Sequence, residues 1–210
     1  MTKLLWKPGT MIYPLPAVMV SCGAEGIGYN IITVAWTGTV CTEPPMTYIS
    51  IRRERHSYGI IKDTGEFVIN LTTEKLAFAT DFCGVRSGRD IDKFALLGLT
   101  PEPASVVKAP LISESPINIE CRVKQVIGLG SHDMFLAEVV AVHVDDEYID
   151  ESGKFRLDRA GPICYSHGSY YGLAGELGTF GYSVMKPKTK KKREAAAAEK
   201  RKLDREKRRK

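Results

Sequence analysis

The stretch "INIECRVKQVIGLGSHDMFLAEVVAVHV", residues 117–144, constrains the fold of this chain more than any other. Ile117, Ile119, Cys121 and Val123 alternate with polar residues, a glycine-rich turn reverses the direction, and an apolar, β-branched run follows. Side chains of a strand point alternately to opposite faces, so this pattern predicts a long antiparallel hairpin. A hairpin of that length needs further strands to cover its apolar face and its edges.

The flanking sequence supplies them. In residues 30–40 the even positions Ile32, Val34, Trp36 and Val40 are apolar, whereas Thr33, Ala35, Thr37 and Thr39 are small. A strand over this stretch would send Trp36 into a core and the threonines to the other face. The prolines of "CTEPPM" interrupt the ladder, and "TYISI" resumes it. "SYGIIKDTG" predicts a short helix ending at Gly65, and "EFVINL" a further strand. In "TEKLAFATDFCG", Leu76, Ala79 and Phe82 have helical spacing, and "VRSGRD" reads as the loop after it. Many strands and few helices suggest a closed or nearly closed antiparallel barrel. Residues 168–185 are rich in Gly and Tyr and read as a segment lying over another surface rather than forming a core.

Charge divides the chain. Its formal net charge of +5 hides an acidic body and a basic end. Residues 186–210 hold 14 Lys and Arg against 4 Asp and Glu, which leaves residues 1–185 at −5. We therefore expect a folded domain over 1–185 and a disordered basic tail over 186–210, which has one leucine as its only large apolar residue. The tail alone would suit a nucleic-acid-binding module with salt-dependent affinity. It has no aromatic residue for base stacking, however, and the body is acidic, so nucleic acid is an unfavoured partner. No run approaches the ~20 apolar residues that span a bilayer, and prolines interrupt "MTKLLWKPGTMIYPLP", so we expect a cytoplasmic protein without membrane contact.

Motifs for several chemistries are missing. The five cysteines include no CxxC pair, and His56, His132, His143 and His167 lack metal-ligand spacing, so no metal site is expected. There is no GxSxG elbow. "GAEGIG", residues 23–28, precedes a strand instead of opening a helix and reads as turn glycines. What the chain does have is a set of hydroxyls and cations: Thr33, Thr37 and Ser50; Arg52, Arg53, Arg55 and Ser57; and Arg86, Ser87, Arg89 and Lys93 in a loop leading to a short helix. Such groups suit a phosphate monoester, with Arg as a planar fork and Lys as a compact charge. On pattern alone, a threonine-rich strand face is simply solvated, and charged loops usually are too.

Taken in order, "NIITVAWTGTVCTEPPMTYISIRRERHSYGII", "GEFVINL", "CGVRSGRDIDKF" and "GSHDMFLAEVVAVHV" resemble the flavin reductase-like, FMN-binding split-barrel family, and within it the flavoredoxin branch. The resemblance runs from about Pro14 to Val184. It implies a mainly β fold, a Greek-key antiparallel split β-barrel with a few short helices, and a homodimer holding FMN noncovalently. Carried over by motif, Asn30, Thr33, Val34, Ala35, Trp36 and Thr37 would meet the ring and ribityl chain. Ser50, Ile51, Arg52, Arg53, Ser57 and Tyr58 would surround ribityl and phosphate, with Ser87 and Lys93 completing the phosphate end. Many of the family's reductases have Gly-Asp-His in the hairpin turn, whereas this chain has Gly130-Ser131-His132 with the aspartate displaced to Asp133. His132 is the candidate catalytic residue, near a nicotinamide or the flavin, or else only a turn residue. The resemblance implies an oxidoreductase that takes electrons from NAD(P)H or a redox protein. The alternative is a flavoredoxin-type carrier that does not use NAD(P)H directly.

Overall fold

The computed structural model describes residues 1–187 and 189. Apart from Lys186, Pro187 and Thr189, the basic segment expected to be disordered lies outside the described residues. Residues Met1–Leu173 make one compact unit, and Tyr182–Val184, in the second, form a single 3-10 turn.

In chain order the first unit runs β1 (Leu15–Pro16), β2 (Val18–Ala24), β3 (Gly28–Val34), β4 (Thr37–Thr42), β5 (Pro45–Ile51), α1 (His56–Thr64), β6 (Glu66–Asn70) and α2 (Ala77–Val85). It continues with α3 (Lys93–Leu97), β7 (Pro101–Glu102), β8 (Leu111–Ile112), β9 (Ile117–Gly128), β10 (Asp133–Val144), β11 (Ile163–Ser166) and β12 (Ser169–Gly172). The main sheet has seven strands in the order β3-β2-β6-β9-β10-β5-β4, all paired antiparallel. Its two edge strands, β3 and β4, are consecutive in the chain and separated only by Ala35 and Trp36. The sheet therefore curls until its edges approach each other, with Ser50 N–H bonded to the Trp36 carbonyl at 2.9 Å beside the seam. This is the nearly closed antiparallel barrel that the strand pattern predicts, and it agrees with the mainly β split barrel that the resemblance implies.

The long hairpin is present as β9 and β10, spanning residues 117–144 with two register shifts. The helix expected to stop at Gly65 does so. Gly65 sits in the left-handed region (φ 68°) and its N–H caps the Ile61 carbonyl at 2.9 Å. Alternation explains why β2 and β3 are buried on both faces. Val18, Val20, Cys22, Ile32 and Val34 point into the barrel with Ile49, Phe67 and Phe135, whereas Met19 and Ile31 point outward under Leu76, Cys83 and Phe94. The helical layer over this part of the barrel thus forms a second core, which α2 enters through Ala79, Thr80 and Cys83.

Two expectations need correction. Residues 30–40 are not one strand, because the chain bends at Ala35–Trp36 where the barrel seam must be crossed. Trp36 is therefore 39% exposed and Val40 50% exposed, and neither belongs to the core. Residues 169–172 are not merely an overlying segment: β12 pairs with β11, and β11 with β1, in a small separate sheet. No helix among the described residues is long and apolar enough to cross a membrane.

Candidate functional site

A cleft runs along one side of the first unit in two connected compartments. The inner one, of about 280 Å³, is lined by Asn30, Ser57, Arg86, Ser87, Arg89 and Lys93. The outer one, of about 480 Å³, lies between the β3–β4 bend and the β11–β12 hairpin. Ile32, Glu54 and Arg55 line both, so the two are continuous.

The inner compartment is built for negative charge. Helix α1 begins there, after an extended Arg55 whose side chain does not cap it. First-turn amides of a helix carry unpaired N–H groups and the positive end of its dipole. Asn30 Nδ2 donates to Ser57 Oγ at 2.8 Å, which orients the hydroxyl. Lys93, the first residue of α3, is only 4% exposed. Its ammonium donates to the carbonyls of Ile31 at 2.7 Å and Cys83 at 2.9 Å, both neutral groups. Burial holds its pKa below the ordinary 10.5. The same positive field reaches His56, which burial, and then the charges of Arg89 and Lys93, keep below the usual imidazole value. A buried cation with only carbonyl partners is costly, and an anion in the compartment would relieve that cost.

Packing leaves no slack at the loop over this compartment. A Cβ on Gly88 would lie 2.0 Å from Asn30 Oδ1. We expect Gly88→Ala to displace the Asn30 side chain from Ser57 and to destabilise the protein by about 1–3 kcal/mol, as overpacking does. Anion binding in the cleft should weaken at the same time. Thermal melts with and without added inorganic phosphate check this, and an unchanged melting temperature in both would contradict it.

The outer compartment is mixed in character. Thr33, Val34, Ala35 and Trp36 form one side with Ser50, Ile51 and Arg52, while Asp81, Val85, Tyr165 and Tyr170 face them. The Thr33 hydroxyl donates to the Thr80 carbonyl, tying β3 to α2. At the mouth the Trp36 ring lies 5.5 Å from His132, and Ser131 Oγ meets His132 Nδ1 at 2.9 Å. The Tyr170 hydroxyl donates to Asp81 at 3.3 Å; burial, and then the Asp81 charge, push its pKa up to about 12. A trough lined by both apolar and polar groups, joined to a cationic pocket, suits a flat ring with a polar chain ending in phosphate.

The fold gathers most of the residues singled out from sequence into this cleft. Asn30, Ser57, Ser87 and Lys93 line the inner part; Thr33, Val34, Ala35, Trp36, Ser50, Ile51, Arg52 and His132 line the outer. Three do not line it. Thr37 is buried and donates to the Tyr48 carbonyl at 2.6 Å, while Arg53 and Tyr58 both turn to Asp133. Glu54, His56, Asp81, Tyr165 and Tyr170 were not anticipated. The last two had a readable signal: "YSHGSYYG" alternates around a His-Gly turn, with His167 and Gly168 both at positive φ, as a two-residue hairpin turn requires.

The fold has known relatives. Residues 10–174 match the model of the flavin reductase like domain. An uncharacterized protein of Archaeoglobus fulgidus is 31% identical over 139 residues, covering 66% of this chain and 77% of that protein. Among solved structures, the flavoredoxin of Desulfovibrio vulgaris (Miyazaki F) is 30% identical with a TM-score of 0.81, covering 88% of this chain and 100% of that one. The flavoredoxin from Methanosarcina acetivorans is 25% identical with a TM-score of 0.78, over 88% and 100% of the two chains.

Proposed function

Because the chain belongs to the flavin reductase-like, FMN-binding split-barrel family, we propose that its cleft holds FMN and that the protein is an FMN-dependent oxidoreductase. It would pass electrons from NAD(P)H or a redox protein to a flavin, iron or a small organic acceptor. The observation that carries the reading is Lys93, a buried ammonium in the inner compartment whose hydrogen-bond acceptors among the described residues are two carbonyl oxygens. A terminal phosphate is the group that compartment is equipped to neutralise. The donor set fits: Lys93, Ser57, Ser87 and the α1 amides suit the phosphate, Arg55 stands where the two compartments join, and Arg52 and Ser50 line the trough.

When bound, a flavin supplies hydride and single-electron transfer. The chain's own residues bind and orient. Trp36 and His132 cover one end of the trough against water, and Thr33 fixes the strand on which the ring would rest. No nucleophile or tuned acid is required, which fits the lack of a triad or metal motif.

The likeness to two flavoredoxins supports a second reading, an electron carrier that does not use NAD(P)H directly. We also propose a homodimer, supported by the apolar face that α2 presents through Phe78, 76% exposed, and Val85, 69% exposed at the cleft. A cytoplasmic location is supported by five free cysteines, as expected in a reducing compartment.

Purified protein should carry, or take up, one FMN and turn yellow; protein that stays colourless with added FMN would sink the proposal. Anaerobic NADH and then NADPH separate the two readings. Bleaching of the oxidised band by either marks a reductase, and bleaching only by an added redox protein marks a carrier.

A further inference from the structure

We propose that Asp133 is a positioning residue that sets both ends of the cleft at once, a role that rests on the cleft being the FMN site. Its side chain is only 6% exposed. Arg53 Nε donates to both carboxylate oxygens at 3.0 Å, and Nη2 donates to Oδ1 at 2.8 Å. The Tyr58 hydroxyl donates to Oδ2 at 2.6 Å. A forked guanidinium and a phenol on one carboxylate fix it in direction as well as in distance.

The three residues come from three different elements, and each neighbours a cleft residue in sequence. Asp133 opens β10 immediately after His132. Arg53 lies between Arg52 and Glu54 in the turn from β5 to α1. Tyr58 follows Ser57 in the first turn of α1, and its ring packs edge-on against Phe135 at 5.3 Å. Peptide units are rigid, so holding these side chains also holds the backbone one residue away. One carboxylate therefore sets the hairpin tip that packs His132 on Trp36, the Arg52 turn, and the helix start that presents Ser57. The cleft itself lies on the other side of these backbones, because neither Arg53 nor Tyr58 lines it.

The position of Asp133 in the sheet supports this. It stands opposite Ile51 on β5 and Gly128 on β9, at the point where all three strands end toward the cleft. Arg53 is 61% exposed in its side chain and needs no partner to remain solvated. The pairing thus serves the geometry of the elements more than the solvation of the arginine.

The test is Asp133→Asn and Tyr58→Phe in the full chain, with FMN and riboflavin titrated in parallel by flavin fluorescence. Trp36 emission is followed in a Trp6→Phe background. Asp133→Asn should weaken FMN about tenfold, as for the loss of one charge-assisted hydrogen bond to phosphate, and riboflavin by less, since only the loosened hairpin tip bears on the ring. Trp36 emission should shift, because the hairpin tip loosens. Tyr58→Phe should weaken FMN in the same direction by less. A wild type that binds no FMN, or holds FMN no tighter than riboflavin, overturns the site reading and this inference with it. A wild type that prefers FMN, with variants that keep both that preference and the Trp36 emission, overturns the positioning role alone. Should Asp133→Asn fail to fold, Tyr58→Phe and Arg53→Lys, which leave the carboxylate in place, decide the matter by the same two readouts.

Discussion

Lys93→Met should weaken FMN binding about 100-fold, the cost of removing one member of a buried charge pair, and leave riboflavin binding unchanged. Methionine matches the unbranched stem but has neither charge nor donor. In the free protein two effects oppose: the Ile31 and Cys83 carbonyls lose their donor, but a buried charge is removed. The melting temperature without ligand should accordingly move little, and the rise on adding FMN should shrink. A pH series adds a second check. Burial depresses the Lys93 pKa in the folded state, so keeping it charged costs stability below its ordinary 10.5, and that cost disappears as pH rises. A bound phosphate favours the charged form. FMN affinity should therefore fall as pH rises through the depressed pKa, before an ordinary lysine titrates, while riboflavin affinity stays flat. Parallel titration of the two ligands would show that Lys93 does not meet the phosphate.

Glu120→Ala should cost about 3–5 kcal/mol of stability, because several backbone donors lose their acceptor at roughly 1–3 kcal/mol for each one left unsatisfied. Glu120 is fully buried and accepts from the backbone N–H groups of Ser105 at 2.8 Å, Val106 at 2.7 Å and Val107 at 2.9 Å. His143 Nε2 lies 2.6 Å from Oε1, the oxygen that also accepts from Ser105. Three backbone N–H groups lose their partner in the alanine variant, and the loop that carries Val107 and Ala109 onto Val68 loses its anchor. Burial alone would raise the Glu120 pKa, but the His143 bond and the three backbone donors outweigh it and hold it below 4.5. A depressed carboxylate contributes stability above its unfolded value and loses it as pH falls through the folded one. The stability gap between wild type and Glu120→Gln should then be full at neutral pH and close in acid below pH 4.5. Denaturant titration at several pH values measures it. FMN affinity at neutral pH should be unaffected, since Glu120 does not line the cleft.

These two residues illustrate what can be read from a sequence. Lys93 stood out because its loop gathers cations before a short helix. Glu120 did not, because it occupies one of the polar positions in an alternating strand that elsewhere would face water. Its polar face is covered here by the 103–110 loop, whose path no local pattern announces. The arginine pair shows the same limit. Arg52 and Arg53 are adjacent and read alike, yet one lines the cleft and the other reaches Asp133, 80 residues away.

By itself the sequence determined the local geometry. Alternation places β9 and β10 in a hairpin, a left-handed Gly65 ends α1, and turn glycines separate β2 from β3, because these depend on the two backbone torsions of neighbouring residues. Only the tertiary structure decided which faces meet. The bend at Ala35–Trp36 exists because two sheet edges must approach each other. Trp36 leaves the core for the same reason, and Asp133 receives Arg53 and Tyr58 because strand register brings them together. Side-chain alternation acts over two residues, whereas barrel closure and register depend on contacts far apart in the chain, and it is these that turn a two-faced strand into a cleft.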